Sequence, residues 1–298
     1  MRRALRFWRG YLPRSRGLVR GWAVVALAAT VAACDTPPPS GGAGAGGAAA
    51  GGAAADAIDL GAYSMVDLTH PFDQNTIYWP TSPTRFSIDT LAYGPAEGGW
   101  FYSSMSIATP EHGGTHLDAP IHFSETGNSS ADIPLERLIG PAVVIDVSAK
   151  ADADRDYRLT RDDVLAWEAE HGAVPAGALV LLRTGWSRHW RNKLAYLGDD
   201  TPGDASKLSF PSYGEDAARL LVEERRAGAL GVDVASIDYG RSTDFMVHRV
   251  AGAQNVPGFE NLTNLDQLPP TGALVFALPM KIGGGSGGPL RAVALVPR

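Results

Sequence analysis

Residues 35–57 contain almost nothing but proline, glycine and alanine. A stretch of this composition has no large apolar side chains to bury, so it predicts a flexible tether and not part of a fold. The chain beyond it carries apolar runs up to its C-terminus, without a second tract of this kind. We therefore expect one globular domain over residues 58–298, which is long enough to bury a substantial core.

The segment before the tether has the composition of an export signal. Residues 1–33 contain seven arginines and no acidic residue, and they end in the apolar run 21–33. About thirteen apolar residues are too few for a typical membrane-spanning helix, which needs roughly 20. The run Val31-Ala32-Ala33-Cys34 resembles a bacterial lipobox, and Cys34 is the only cysteine.

We predict from these features a signal peptide over residues 1–33 and a lipidated Cys34 at the start of the 34–57 tether. The alternative is an ordinary signal peptide with an unrelated cysteine. The lipoprotein interpretation implies an exported protein, periplasmic or at the cell surface, that contacts a bacterial membrane only through its lipid anchor.

Charge argues against a nucleic-acid partner. Once the seven arginines of the leader are removed, 19 basic residues remain against 32 acidic ones, a net charge of about −13. Nucleic-acid binding depends on clustered lysine and arginine, and no basic patch follows the leader.

The domain alternates between strand and helix signals. Thr160 followed by Asp162 and Asp163 predicts a capped helix that ends at Gly172, and an amphipathic helix is predicted over 215–227. Apolar runs of strand length occur at 63–68, 103–107, 142–147, 178–182, 230–233, 273–278 and 292–296. The pattern predicts an α/β domain with many strands, and it leaves the strand order open.

Three of the seven histidines lie within eleven residues, in the segment HGGTHLDAPIH at 112–122. Two glycines and a proline oppose a regular helix, so we expect a loop that turns His112, His116 and Asp118 towards one point. Two imidazoles and a carboxylate are a common ligand set for Zn²⁺ or Mn²⁺. A divalent-metal site is favoured over a polar loop with solvated histidines.

The same segment resembles the H-x-G-T-H-x-D-x-P-x-H signature of the cyclase/arylformamidase family of metal-dependent hydrolases, which includes kynurenine formamidases and isatin hydrolases. The similarity extends to 66–71, 78–80, 231–238, 260–268 and 283–290, and so covers roughly residues 63–298. It implies a swivelling β/β/α fold with a closed, barrel-like sheet and flanking helices, commonly assembled as a homodimer or homotetramer.

The resemblance also implies roles for individual residues. Five residues match the ligands of one or two Zn²⁺ or Mn²⁺ ions per subunit: His112, His116, Asp118, His248 and Glu260. Asp118 would bridge the two ions. His122 matches the family's catalytic acid/base histidine, and Trp79 matches an aromatic residue that lines the substrate pocket.

These residue types suit amide hydrolysis. A bound metal ion lowers the pKa of water from about 15.7 towards about 7 and polarises a carbonyl group. An imidazole with an ordinary pKa near 6.5 suits the transfer of protons, as expected for His122. We predict hydrolysis of the C–N bond of an aryl formamide or cyclic amide. The alternatives are a periplasmic lipoprotein that uses its metal pocket to bind a ligand without turnover, and a purely structural metal site.

Aromatic residues also cluster near the predicted site along the sequence, and they would suit a flat aromatic or cyclic substrate. They are Tyr78, Trp79, Trp100, Phe101, Tyr102 and Phe123. The glycine run at 283–288 does not open a helix, so we expect a loop beside the active site or at a subunit interface.

Overall fold

The structure, a computed structural model, describes residues 59–298. The predicted signal peptide, Cys34 and the tether lie outside these residues, so their assignments stay predictions. Among the described residues, no helix is both long and apolar enough to cross a membrane.

Twelve strands and five α-helices make up the described part of the chain. The strands are β1 Tyr63–Asp67, β2 Ser87–Pro95, β3 Phe101–Ala108, β4 His116–Asp118, β5 Ile139–Asp146, β6 Arg158–Leu159, β7 Leu179–Arg183, β8 Ser212–Tyr213, β9 Ala229–Val232, β10 Gly258–Glu260, β11 Ala273–Pro279 and β12 Gly287–Pro297. The helices are α1 Ser148–Ala153, α2 Arg161–His171, α3 Lys193–Leu197, α4 Glu215–Arg219 and α5 Met246–Ala253.

Seven of the strands close into a barrel. Their order is β12-β11-β5-β7-β9-β10-β4, and β4 pairs again with β12 to complete the circle. The β5, β7, β9 and β10 neighbours are parallel, while the remaining pairs are antiparallel. Strand β1 is an additional strand of this sheet, and it pairs antiparallel with the C-terminal part of β12. The closed barrel with flanking helices confirms the architecture that the family resemblance implied.

Alternate residues of the central strands supply two separate cores, because successive side chains of a strand point to opposite faces. Val180 and Leu182 of β7 pack with the helices, in a cluster that includes Trp167 of α2. Leu179 and Leu181 pack on the other face, in the cluster that fills the barrel. The continuous apolar runs of the sequence therefore mark strands that are buried on both sides.

Both helices predicted from the sequence are present, and the second differs from the prediction in its later part. Thr160 caps α2 through a reciprocal capping box with Asp163, and the helix ends at Gly172 as predicted. The predicted helix over 215–227 begins at Glu215 but changes character after Arg219, where Leu220–Glu224 form a π-helical turn. The wider turn buries three consecutive apolar residues, Leu220, Leu221 and Val222.

Strands β2 and β3 form a separate two-stranded hairpin with exposed apolar side chains along its length. The strand predicted at 103–107 belongs to β3, while β2 was not predicted. The most exposed large apolar side chains are Tyr93 at 72% and Leu91 at 67%. An isolated hairpin is only marginally stable in water, so this element is expected to be covered by something else.

Candidate metal centre and substrate pocket

The histidine-rich segment forms a bent loop, a short strand and a single turn. Gly113 and Gly114 adopt positive φ angles, and a side chain at Gly114 would collide with the ring of Phe72. The loop thus requires glycine in order to turn back on itself. His116 and Asp118 follow on β4, and Pro120 begins the 3₁₀ turn that carries His122.

Strand pairing brings the later residues to the same place. Strand β10 is antiparallel to β4, and its register sets Glu260 directly opposite His116. His248 lies on α5, where its Nε2 atom is 2.9 Å from Asp118 Oδ2 and 3.3 Å from Glu260 Oε1. The five residues predicted as metal ligands therefore lie together, and four of them are buried while His112 is half-buried.

Asp118 is the centre of this cluster. Its Oδ1 atom is 2.6 Å from His112 Nδ1 and 3.1 Å from His116 Nε2. Ligand atoms of two triplets lie within 4.8 Å of one another, and both triplets include Asp118: His112–Asp118–His122 and His116–Asp118–Glu260. A carboxylate that belongs to both triplets has the position expected of a bridging ligand.

The electrostatics of the cluster raise the pKa of the His116 and His248 imidazoles. Burial alone would lower the pKa of His116, but the hydrogen bond and charge of Asp118 raise it to about 9. Burial and the negative charge of Asp118 raise the pKa of the Glu260 carboxyl. Burial opposes ionisation of Asp118 as well, yet the charge of His112 holds the pKa of Asp118 well below its usual range.

Two buried carboxylates surrounded by imidazoles are thus stabilised by a cation, either protons on the rings or a metal ion bound to the same nitrogens. Imidazole and carboxylate ligands are those that Zn²⁺ and Mn²⁺ accept, so the residues present fit a divalent ion. The buried cluster could bind a metal.

His122 lies beside the cluster at its exposed side. Its ring stacks on that of His112, with centroids 3.9 Å apart and planes inclined by 20°. Desolvation by its neighbours lowers the pKa of His122 to about 4, against the opposing pull of Asp118. An imidazole in this state is neutral at pH 7 and is able to accept a proton.

A cavity of about 470 Å³ opens over these residues. Its wall includes four aromatic residues, among them Trp79, which packs edge-on against Phe210. The other aromatic residues of the lining are Tyr78, Phe123 and Phe245. Such a cavity has the size and composition of a small-molecule site.

The expectation for three other aromatic residues was wrong. Trp100, Phe101 and Tyr102 lie at the β2–β3 hairpin and do not line the cavity. Their exposed fractions are 60%, 61% and 52%. These residues are close to the metal loop in sequence but do not line the cavity, because the hairpin is a sheet separate from the barrel.

Several residues that orient the cluster were not assigned from the sequence. His248 Nδ1 lies 2.6 Å from Asp238 Oδ2, and this carboxylate also accepts the backbone N–H groups of Val247 and His248. Asn261 donates to the carbonyl of Gly114, which also lies 3.0 Å from His116 Nδ1. The sequence signal for Asp238 was its place in the family-like segment 231–238, shortly before a predicted ligand histidine, since acidic partners of this kind orient metal-bound imidazoles.

Comparison with known proteins agrees with this arrangement. The Cyclase family model matches residues 66–239. Isatin hydrolase of Roseibium aggregatum is 38% identical over 253 residues, which cover 80% of this chain and 94% of that protein. Kynurenine formamidase of Sphingopyxis alaskensis is 31% identical over 232 residues, covering 76% of this chain and 95% of that protein.

Solved structures of isatin hydrolases are also similar to this chain. Isatin hydrolase A of Ralstonia solanacearum matches with a TM-score of 0.72 and 36% identity, covering 79% of this chain and 93% of that one. An isatin hydrolase bound to the product analogue thioisatinate matches with a TM-score of 0.74 and 32% identity, over 80% and 94% of the two chains. The barrel, the signature segment and these similarities together show that the chain belongs to the Cyclase family.

Proposed function

We propose that this protein is a divalent-metal-dependent hydrolase that cleaves the C–N bond of an aryl formamide or a cyclic amide. It is an enzyme of the amidohydrolase class, like its relatives named isatin hydrolase and kynurenine formamidase. One observation carries the proposal: the buried His/Asp/Glu cluster and His122 border the same aromatic cavity.

The metal would be held by the five clustered side chains, His112, His116, Asp118, His248 and Glu260. A bound divalent ion at such a site supplies water of lowered pKa and polarises the amide carbonyl. One or two ions of Zn²⁺ or Mn²⁺ are proposed for these five side chains, with Asp118 shared between the ions, because Asp118 contacts His112, His116 and His248. Asp238 accepts a hydrogen bond from Nδ1 of His248 and so leaves Nε2 of that ring to face the cluster.

His122 is proposed to move the proton. Water adds to the amide carbonyl carbon while neutral His122 takes its proton, and the same proton is then delivered to the nitrogen as the C–N bond breaks. The products are a carboxylic acid and an amine, joined in one molecule when the amide is cyclic. The low pKa of His122, caused by desolvation, favours the neutral form that begins this sequence.

The aromatic wall supports a flat substrate. Trp79, Phe123 and Phe245 present ring surfaces in the same cavity as the cluster, and rings of a substrate can stack or pack edge-on against them. The higher identity to an isatin hydrolase than to a kynurenine formamidase makes a cyclic aryl amide the first substrate to test.

The experiment measures metal content and turnover of the purified protein on isatin, N-formylkynurenine and simple lactams. We expect a bound divalent metal, and hydrolysis of at least one aryl amide that stops when a chelator removes the ion and resumes when Zn²⁺ or Mn²⁺ is returned. Metal binding without hydrolysis of any of these compounds would instead support the ligand-binding lipoprotein.

The location of the protein is part of the proposal. The lipobox-like sequence before Cys34 supports an exported protein anchored to a bacterial membrane through a lipid on this residue. The test is to express the full chain and Cys34→Ser in a bacterium and separate membrane from soluble fractions. Wild type should follow the membrane, and C34S should not incorporate labelled palmitate.

A homo-oligomer is also proposed. The β2–β3 hairpin carries exposed large apolar side chains on both strands, including Ile88, Leu91, Tyr93 and Ile107. Contiguous apolar surface of this kind marks an interaction site. A second copy of the chain is the proposed partner, in agreement with the homodimer or homotetramer that the family resemblance implies.

A further inference from the structure

The glycine-rich run at 283–288 brings one serine hydroxyl against a residue of the candidate metal centre. Ser286 Oγ lies 2.9 Å from His112 Nε2, on the side of the ring opposite Asp118. Ser286 is in turn bound to Glu111, whose Oε2 atom is 2.6 Å from Ser286 Oγ. The three side chains form a chain of contacts from Glu111 through Ser286 to His112.

The available hydrogens determine which atom donates and which accepts in each of these contacts. The backbone N–H of Ser286 donates to Glu111 Oε2 at 3.1 Å, which marks that oxygen as an acceptor. A serine hydroxyl has a single hydrogen to donate, and here it is given to the same oxygen. Ser286 Oγ can therefore only accept from the imidazole, so His112 carries its hydrogen on Nε2.

In the neutral form of the ring, the other nitrogen, Nδ1, then bears a lone pair. His112 Nδ1 lies 2.6 Å from Asp118 Oδ1, itself an acceptor. Two lone-pair atoms at this separation repel each other unless a proton or a metal ion lies between them. Because Nε2 keeps its hydrogen on Ser286, Nδ1 is the ring atom that could give up a proton and bind a metal ion beside the Asp118 carboxylate.

We propose that Ser286 and Glu111 are positioning residues, which hold His112 in the tautomer that binds the metal ion through Nδ1. The inference rests on the proposed metal-dependent function. It also explains part of the glycine run: a Cβ atom at Gly287 would lie 2.5 Å from the carbonyl of Leu117 and 2.7 Å from Cε1 of His112. Only glycine lets the backbone pass close enough for Ser286 to reach the ring.

The test measures binding of Co²⁺ to the metal-depleted protein by calorimetry and by its visible absorption spectrum. Ser286→Ala should weaken Co²⁺ binding about 10- to 100-fold, the usual effect of losing a partner of a ligand histidine, and should alter the spectrum. Ser286→Thr keeps the hydroxyl and should restore most of the affinity. Ser130→Ala is the matched control, because this buried hydroxyl donates to the Met280 carbonyl and not to the metal cluster.

Glu111→Ala supplies a second measurement. It frees the Ser286 hydroxyl proton and should also weaken Co²⁺ binding, although Ser286 remains. Because both residues act through one chain of contacts, Glu111→Ala should add little in the Ser286→Ala background. A simple loss of negative charge would instead lower the affinity equally in both backgrounds, and that result would overturn the proposal.

Wild-type affinity and spectrum in folded Ser286→Ala would also overturn it, while leaving the proposed function intact. Failure of the wild type to bind Co²⁺, Zn²⁺ or Mn²⁺ would remove the proposed function and this inference together. Circular dichroism and thermal unfolding of each variant identify any that fail to fold, and Ser286→Thr and Glu111→Ala then decide the question.

Discussion

The imidazole rings of His112 and His122 stack face to face, 3.9 Å between centroids. One ring belongs to the buried ligand cluster and the other borders the open cavity. The stack therefore puts His122, the proposed proton-transfer residue, in contact with His112, a proposed metal ligand. His122 itself lies outside the buried Asp118–Glu260 centre.

Replacement of His122 should separate chemistry from metal binding. His122→Ala is expected to lower kcat by about 10²- to 10⁴-fold, the usual contribution of a general acid or base. Its metal content should remain that of the wild type, because the five clustered ligands are intact. Steady-state kinetics and elemental analysis measure the two effects. His171→Ala, at the end of α2, serves as the control; equal activity of both variants would contradict the role.

Removal of the central carboxylate should empty the site of metal. Asp118 contacts His112, His116 and His248, so Asp118→Asn withdraws the negative charge that all three rings share. We expect no stoichiometric metal after dialysis and no turnover. Asp146→Asn is the control, because that carboxylate pairs with Arg183 away from the cluster. Full metal content in D118N would show that Asp118 is not a ligand.

The aromatic wall should govern substrate affinity. Trp79→Ala is expected to lower kcat/KM for an aryl amide roughly two- to thirteenfold, because an aromatic contact contributes about 0.5–1.5 kcal/mol. Trp79→Phe keeps a ring and should lose less. An aliphatic lactam lacks the stacking surface, so its kcat/KM should change little. Equal losses for aryl and aliphatic amides would indicate that Trp79 supports the fold and does not contact the substrate.

Stability should fall at acid pH through a buried histidine outside the cluster. His70 stacks on Trp190 with centroids 4.1 Å apart, and its Nε2 atom is buried without a hydrogen-bond partner among the described residues. Burial lowers the pKa of His70 from 6.5 to about 4.

The folded protein resists protonation of this ring, while the unfolded chain accepts a proton below about pH 6.5. The contribution of His70 is therefore complete above pH 6.5 and is lost as the pH falls to 4, by at most about 3 kcal/mol. Urea unfolding from pH 7 to 4 should show a steeper loss for wild type than for His70→Phe, which keeps a stacked ring. Parallel curves would refute the assignment.

The exposed hairpin should control assembly. Replacing Leu91 and Tyr93 by lysine puts charges on its most exposed apolar positions and should convert the proposed oligomer into monomers. Light scattering coupled to size-exclusion chromatography measures the mass. Leu194→Lys, on an exposed leucine of α3, is the control. An unchanged mass for the hairpin variant would exclude this surface as the contact between copies.

Much of the site could be predicted from the sequence, because four of its residues are close together in the chain. His112, His116, Asp118 and His122 share one short segment, whose glycines and proline exclude a helix and require a turn. The capping box of Thr160 and Asp163 and the continuous apolar strands are local in the same sense, since each depends on neighbours a few positions away. The resemblance to the family extended this to His248, Glu260 and Trp79.

Only the tertiary structure decided which distant residues meet. The register of β10 on β4 sets Glu260 opposite His116, and the return of β12 past β4 brings Ser286 to His112. It also separated Trp79, in the cavity, from Trp100, on the exposed hairpin. Local propensity and spacing act over one turn or one strand, whereas barrel closure pairs backbones far apart in the chain and leaves no periodic trace in either partner.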